Sequence, residues 1–149
     1  MSTHNKECAI SITDISINDI SSCRYDLAIF ASGYESRCTQ GASHIPLKCF
    51  NEILILGFKN VHIKKLRDNN DALFFKLLGR HPIIEDANFL ERIASAISCA
   101  IKIAMIEGRS PKILIDYSSM HREWYGYILS YIRYVLPEHH KASIDFLYS

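Results

Sequence analysis

The sequence predicts a three-layer α/β domain of the Rossmann-like kind, with about four parallel strands in the order 2-1-3-4 and helices on both faces. Three observations predict it. Short apolar runs recur without alternation, helical periodicity fills the intervals between them, and length and composition match one globular domain. At 149 residues, 48% apolar and 22% charged, the chain can bury a core of its own.

The runs are 26–31 (DLAIFA), 52–57 (EILILG) and 112–116 (KILID), with a fourth at 142–148 (ASIDFLY). Continuous apolar runs suit strands covered on both faces, the habit of parallel sheets flanked by helices. Between them Leu90, Ile93, Ala94, Ile97, Ala100, Ile101, Ala104 and Met105 recur at helical spacing, followed by the stop signals Gly108 and Pro111. A second helix is expected over 61–78, anchored by Leu66, Leu73, Leu77 and Leu78. A third begins near Ser119, carries Trp124, Tyr127, Ile128, Tyr131 and Val135, and ends at Pro137. No linker or low-complexity tract divides the chain, so 1–149 reads as a single domain. Residues 1–24 form an irregular lead-in or, at 9–12, a short edge strand.

Seventeen basic against sixteen acidic residues leave a net charge of +1, which gives no indication of nucleic acid as a partner. Five cysteines, at 8, 23, 38, 49 and 99, form no Cys-x-x-Cys pair and read as reduced thiols of a cytoplasmic protein. The polar start, Met1 to Glu7, carries no signal core, and the longest apolar stretch, 93–106, is broken by Ser95, Ser98 and Lys102. No membrane span is expected.

Right-handed crossovers place the second run to one side of the first, and the long connection 58–111 carries the third run to the other. Ligands of such sheets bind outside the carboxyl ends of the strands where the winding reverses. The loops there are 32–37 and 116–123. Ser32, Gly33, Tyr34, Arg37, Ser118, Ser119 and Arg122 are the expected ligand-binding residues. Gly33 admits close backbone approach, the two arginines offer forked donors for phosphate or carboxylate, and the hydroxyls add hydrogen bonds. Asp116, Glu35 and Glu123 are the candidate catalytic carboxylates, able to bind ribose hydroxyls, hold a metal, or act as nucleophile or general base.

Structural readings compete at each position. Ser119 is a natural helix N-cap, Glu123 suits the positive end of a helix dipole, Ser36 is a capping residue, and the Glu35–Arg37 and Arg122–Glu123 neighbours are surface charge pairs. Trp124 reads as core, leaving Tyr34 and Tyr117 as the aromatic residues for ligand contact, and His121 reads as a surface histidine. The remaining histidines show no ligand spacing, so no structural metal is expected and no cofactor is named. There is no Gly-x-x-x-x-Gly-Lys-Ser/Thr, Gly-x-Gly-x-x-Gly or Gly-x-Ser-x-Gly motif, which disfavours P-loop NTPases, classical dehydrogenases and α/β-hydrolases.

The stretch Tyr25-Asp26-Leu27-Ala28-Ile29-Phe30-Ala31-Ser32 resembles the opening strand and loop of TIR-type and nucleoside-deoxyribosyltransferase-like domains. That resemblance, about a dozen residues long, implies cleavage or transfer at a ribose–base bond, with Glu123 as the reacting glutamate and Asp116 and Ser32 in support. The longer signatures around the families' glutamate have no counterpart here. The pattern as a whole is also similar to bacterial proteins associated with antiviral defence.

The leading expectation is therefore a site for a nucleotide-like or other anionic small molecule and, if the chain is an enzyme, a hydrolase or transferase. A non-enzymatic sensor or assembly subunit is the alternative. A nuclease-like metal site at Asp116, Glu35 and Glu123 is the third reading, disfavoured by the lack of a basic stripe. The last strand runs almost to Ser149, so a homo-oligomer or partner protein is expected to complete the crevice wall.

Overall fold

A computed structural model describes residues 9–20, 24–59 and 64–149. The elements are β1 (Ala9–Ile15), α1 (Ile17–Ile20), β2 (Leu27–Ser32), α2 (Gln40–His44), β3 (Ile53–Gly57), α3 (Lys64–Leu78), β4 (Ile83–Ile84), α4 (Phe89–Ile106), β5 (Lys112–Asp116), α5 (Arg122–Val135) and β6 (Lys141–Leu147). Short 3-10 turns precede and follow α2, at Ser36–Thr39 and Leu47–Cys49.

All strands pair in parallel in one sheet of order β1-β6-β5-β2-β3-β4. The expectation of about four strands in order 2-1-3-4 is thus corrected to six. The four expected runs are β2, β3, β5 and β6, which lie side by side, and one further strand is added at each edge. Both additions lacked the apolar continuity of a covered strand. Five of the seven residues of β1 are exposed, and β4 has only two residues. The segment 1–24 supplies β1 over Ala9–Ile15, longer than the four residues anticipated, and 1–8 lie outside the described residues.

Alternation of side chains places two cores on the two faces of the sheet. Leu27, Ile29, Ile113, Ile115, Ala142 and Ile144 pack against α4 and α5. Ala28, Phe30, Leu114 and Leu147 pack on the opposite side with Ile20, Ala42, Phe74 and Leu78. The crossovers β2–α2–β3 and β3–α3–β4 thus cover one face, and β4–α4–β5 and β5–α5–β6 the other. Winding reverses between β2 and β5, as the crossover argument requires.

Helix α4 presents Ile93, Ile97, Ala100, Ile101 and Ala104 inward, whereas Leu90 is 47% exposed. It ends at Gly108, which adopts φ 70, a left-handed conformation that costs glycine little. In α3 the inward face differs from the leucine stripe expected. Leu66 and Leu73 are 51% and 38% exposed, and the buried positions are Arg67, Asn70, Phe74 and Leu78. The portion of that expected helix at 61–63 lies outside the described residues. Helix α5 starts at Arg122 instead of near Ser119; its N-cap is His121, and Ser119 does not cap it.

Buried charge closes the amino end of the sheet. Asp26, 4% exposed, accepts from Arg109 Nη1 and from the Lys112 amide, both at 2.8 Å, and Asn51 Nδ2 lies 3.4 Å from its other oxygen. Asp145 accepts from the Tyr25 hydroxyl at 2.7 Å. These carboxylates are compensated, as buried charge requires. The free cysteines described are Cys38, Cys49 and Cys99. No helix among the described residues is long and apolar enough to cross a membrane.

Candidate functional site

The loops following β2 and β5 meet at the carboxyl end of the sheet. Gly33 and Ser119 pack against one another, so that a Cβ built on Gly33 would lie 3.0 Å from Ser119 Cβ and 3.4 Å from its Oγ. A side chain at residue 33 would require Ser119 to give by a few tenths of an ångström. Ser119 Oγ is buried there with no hydrogen-bond partner among the described residues.

Asp116 ends β5, and its place in the strand turns its side chain toward the α2 face, not into the mouth of the crevice. It is 2% exposed. Oδ1 accepts from the Ser118 amide at 3.0 Å and from Ser118 Oγ at 2.5 Å. Oδ2 is buried without a partner among the described residues, seated where Gly41 leaves room for it. Burial pushes the carboxyl up to about 6, against the two Ser118 hydrogen bonds that favour the anion. Ser118 Oγ in turn accepts from the Ser149 amide at 2.8 Å, tying β6 to the same loop.

Ser32 ends β2 on the same face. Its hydroxyl donates to Asp71 Oδ1 at 2.5 Å, which also accepts from Arg67 Nε at 2.7 Å. Arg67 Nη1 donates to the Phe58 carbonyl at 2.6 Å. Asn70 Nδ2 bonds the carbonyls of Gly33 and Glu35, at 2.8 and 3.1 Å. Helix α3 therefore holds the loop 32–37 through residues that sequence reasoning missed: Asn70 bonds two of its backbone carbonyls, and Asp71, paired with Arg67, bonds the Ser32 hydroxyl. Their signal was present: residues 67, 70, 71, 74 and 78 continue one helical stripe into Phe74 and Leu78. Leu66, Leu73 and Leu77 form a neighbouring, more apolar stripe on the same helix. Cys38, buried between this network and Asp116, is not a thiolate nucleophile, because burial raises its thiol to about 11.

The remaining expected residues stand at the rim. Arg37 is paired with Glu35, donates to the Tyr148 hydroxyl, and lies over the Tyr148 ring at 5.0 Å. Glu35 is thus committed to an exposed ion pair. Arg122 and Glu123 are exposed and form no hydrogen bond or ion pair among the described residues. Tyr34 stacks on Phe58 at 6.4 Å, and Phe58 stacks on Trp124 at 4.3 Å, with His121 at the Phe58 edge. Trp124 is 4% exposed, a core residue. Tyr117 packs against Phe146, Tyr125 and Tyr148. The structure thus brings Ser32, Gly33, Ser118, Ser119 and Asp116 together, and leaves Glu35, Arg122 and Glu123 exposed, with Arg37 half-buried against Tyr148. Among the described residues no group of three His, Cys, Asp or Glu is arranged to hold a metal.

No family model, curated protein or solved structure matches this chain.

Proposed function

We propose that the chain binds a small anionic molecule of nucleotide type over the joined loops 32–37 and 116–123. The observation that carries this reading is the Gly33–Ser119 contact, which joins the loops after β2 and β5 where the winding of a parallel sheet reverses. Around it stand Arg122 without a partner, the unpartnered Ser119 hydroxyl, and the Tyr34–Phe58–His121 aromatic group, which offers a stacking face for a base. Binding is favoured over chemistry. Asp116, whose proton affinity suits acid–base work near neutrality, is covered by Gly41 and Leu147, and Glu123 is exposed and unpaired among the described residues. Calorimetric titration with AMP, NAD and adenosine tests the reading. Saturable binding that Arg122→Ala weakens supports it, and no binding by folded protein to any of the three sinks it.

The second reading, an assembly subunit, is favoured by a separate observation. Strand β1 is an edge whose Ile12 is 55% exposed, and the groove between α4 and α5 is bordered by Ile106, at 76% exposure. Light scattering across a concentration series decides it; a monomer throughout, with no partner recovered, argues against assembly.

A further inference from the structure

Arg67 stands in the first turn of α3, and its side chain is only 6% exposed. Nε and Nη1 are engaged by Asp71 and by the Phe58 carbonyl, but Nη2 is buried without a partner among the described residues. It sits over Gly57, the last residue of β3, where a Cβ would overlap it. A guanidinium cannot shed its proton to escape desolvation, so a buried donor left empty calls for an acceptor.

A second observation points to the charge of that acceptor. Helix α3 has fifteen residues, and its first turn carries the basic side chains of Lys65 and Arg67 and no acid. Cations at the positive end of a helix dipole oppose it, whereas an anion there is held by the dipole and by the cations together. The arrangement is unfavourable for an isolated helix and favourable for one that receives an anion.

A third concerns place. The Arg67–Asp71–Ser32 chain and the Asn70–Gly33 bond link this helix end to the loop of the proposed binding surface. We infer that the amino end of α3, with Arg67 and Gly57 beneath it, is a phosphate subsite, taking one phosphate oxygen on Arg67 Nη2 while Lys65 contributes charge. For the nucleotide the inference rests on the function proposed above; for the phosphate group it does not.

The full chain is titrated at constant ionic strength with inorganic phosphate, AMP and adenosine, using wild type, Arg67→Gln, Lys65→Gln and, as a control remote from the site, Arg133→Gln. Phosphate and AMP are expected to bind saturably to wild type and to Arg133→Gln. Affinity should fall about tenfold or more in Arg67→Gln, which loses a charge-assisted bond, and about twofold in Lys65→Gln, an exposed position. Wild type that binds neither phosphate nor AMP overturns the subsite, as does a folded Arg67→Gln with unchanged affinity. Should Arg67→Gln fail to fold, Lys65→Gln decides, and unchanged affinity there rejects the proposal. Phosphate bound without any preference for AMP keeps the subsite and rejects the nucleotide. AMP and adenosine bound equally, indifferent to Arg67, reject the subsite and keep the nucleoside.

Discussion

Gly41 and Asp116 are fitted to one another: the missing side chain of the glycine is the space occupied by Oδ2 of the aspartate. A Cβ at residue 41 would overlap that oxygen and would lie 2.7 Å from Leu147 Cδ2. Gly41→Ala is therefore expected to destabilise the fold by about 3 kcal/mol, the upper part of the range for overpacked cores. Gly126→Ala is the contrast, because a Cβ there meets nothing and the residue lies inside α5. That change should stabilise by about 0.5 to 1 kcal/mol through helix propensity. Denaturant midpoints of the two variants check both signs.

The same enclosure makes stability depend on pH in a stated direction. Asp116 has its carboxyl raised from 3.8 to about 6 by burial, so above pH 4 the unfolded chain gives up this proton more readily than the folded one. Its contribution to stability is fullest below the unfolded value, declines as pH rises from about 4 to about 6, and stays low above. Asp116→Asn keeps an acceptor for Ser118 and places a neutral amide where Oδ2 had no partner. The stability difference between variant and wild type should shift in the variant's favour across that window, by about 3 kcal/mol at most. Melting curves at pH 4 and pH 8 measure it, and a difference that does not change with pH rejects the account.

Ser119→Ala separates packing from binding. The hydroxyl is buried and makes no bond, so its removal should leave stability unchanged or raise it by about 1 kcal/mol. If Ser119 Oγ serves the ligand, AMP affinity falls in the same variant. Unchanged affinity in calorimetric titration removes Ser119 from the site.

At the opposite end of the sheet, Asp26→Asn should weaken the bonds from Arg109 and from the Lys112 amide and cost about 2 kcal/mol. The figure is kept low because Arg109 is 39% exposed and water can take over part of its pairing. Ligand affinity should not change, since both proposed contact regions lie at the carboxyl ends of the strands. Paired unfolding and titration experiments test the separation.

Much of this molecule is legible in the chain itself. The runs that became β2, β3, β5 and β6 are continuous and apolar because both faces of those strands are covered, and burial on both faces writes itself into every residue. The α4 face was readable for a similar reason, since Ile93, Ile97, Ala100 and Ala104 follow the helical period without polar interruption. From the crossover rule alone, loops 32–37 and 116–123 could be placed together, and Gly33 and Ser119 do meet.

Tertiary structure decided the rest. Strands β1 and β4 exist through hydrogen bonds to a neighbour, not through a hydrophobic pattern, so their residues carried little signal. Arg67, Asn70 and Asp71 look like the polar side of a surface helix, and only their pairing with Ser32 and with the carbonyls of Gly33 and Glu35 turns them inward. Side-chain direction was also beyond local reading. Asp116 and Glu123 are seven residues apart in one loop region, yet strand alternation buries the first under Gly41 and leaves the second in solvent. Local sequence records how each segment meets water on average, whereas the partner that satisfies a buried polar atom is fixed only when distant segments are brought together.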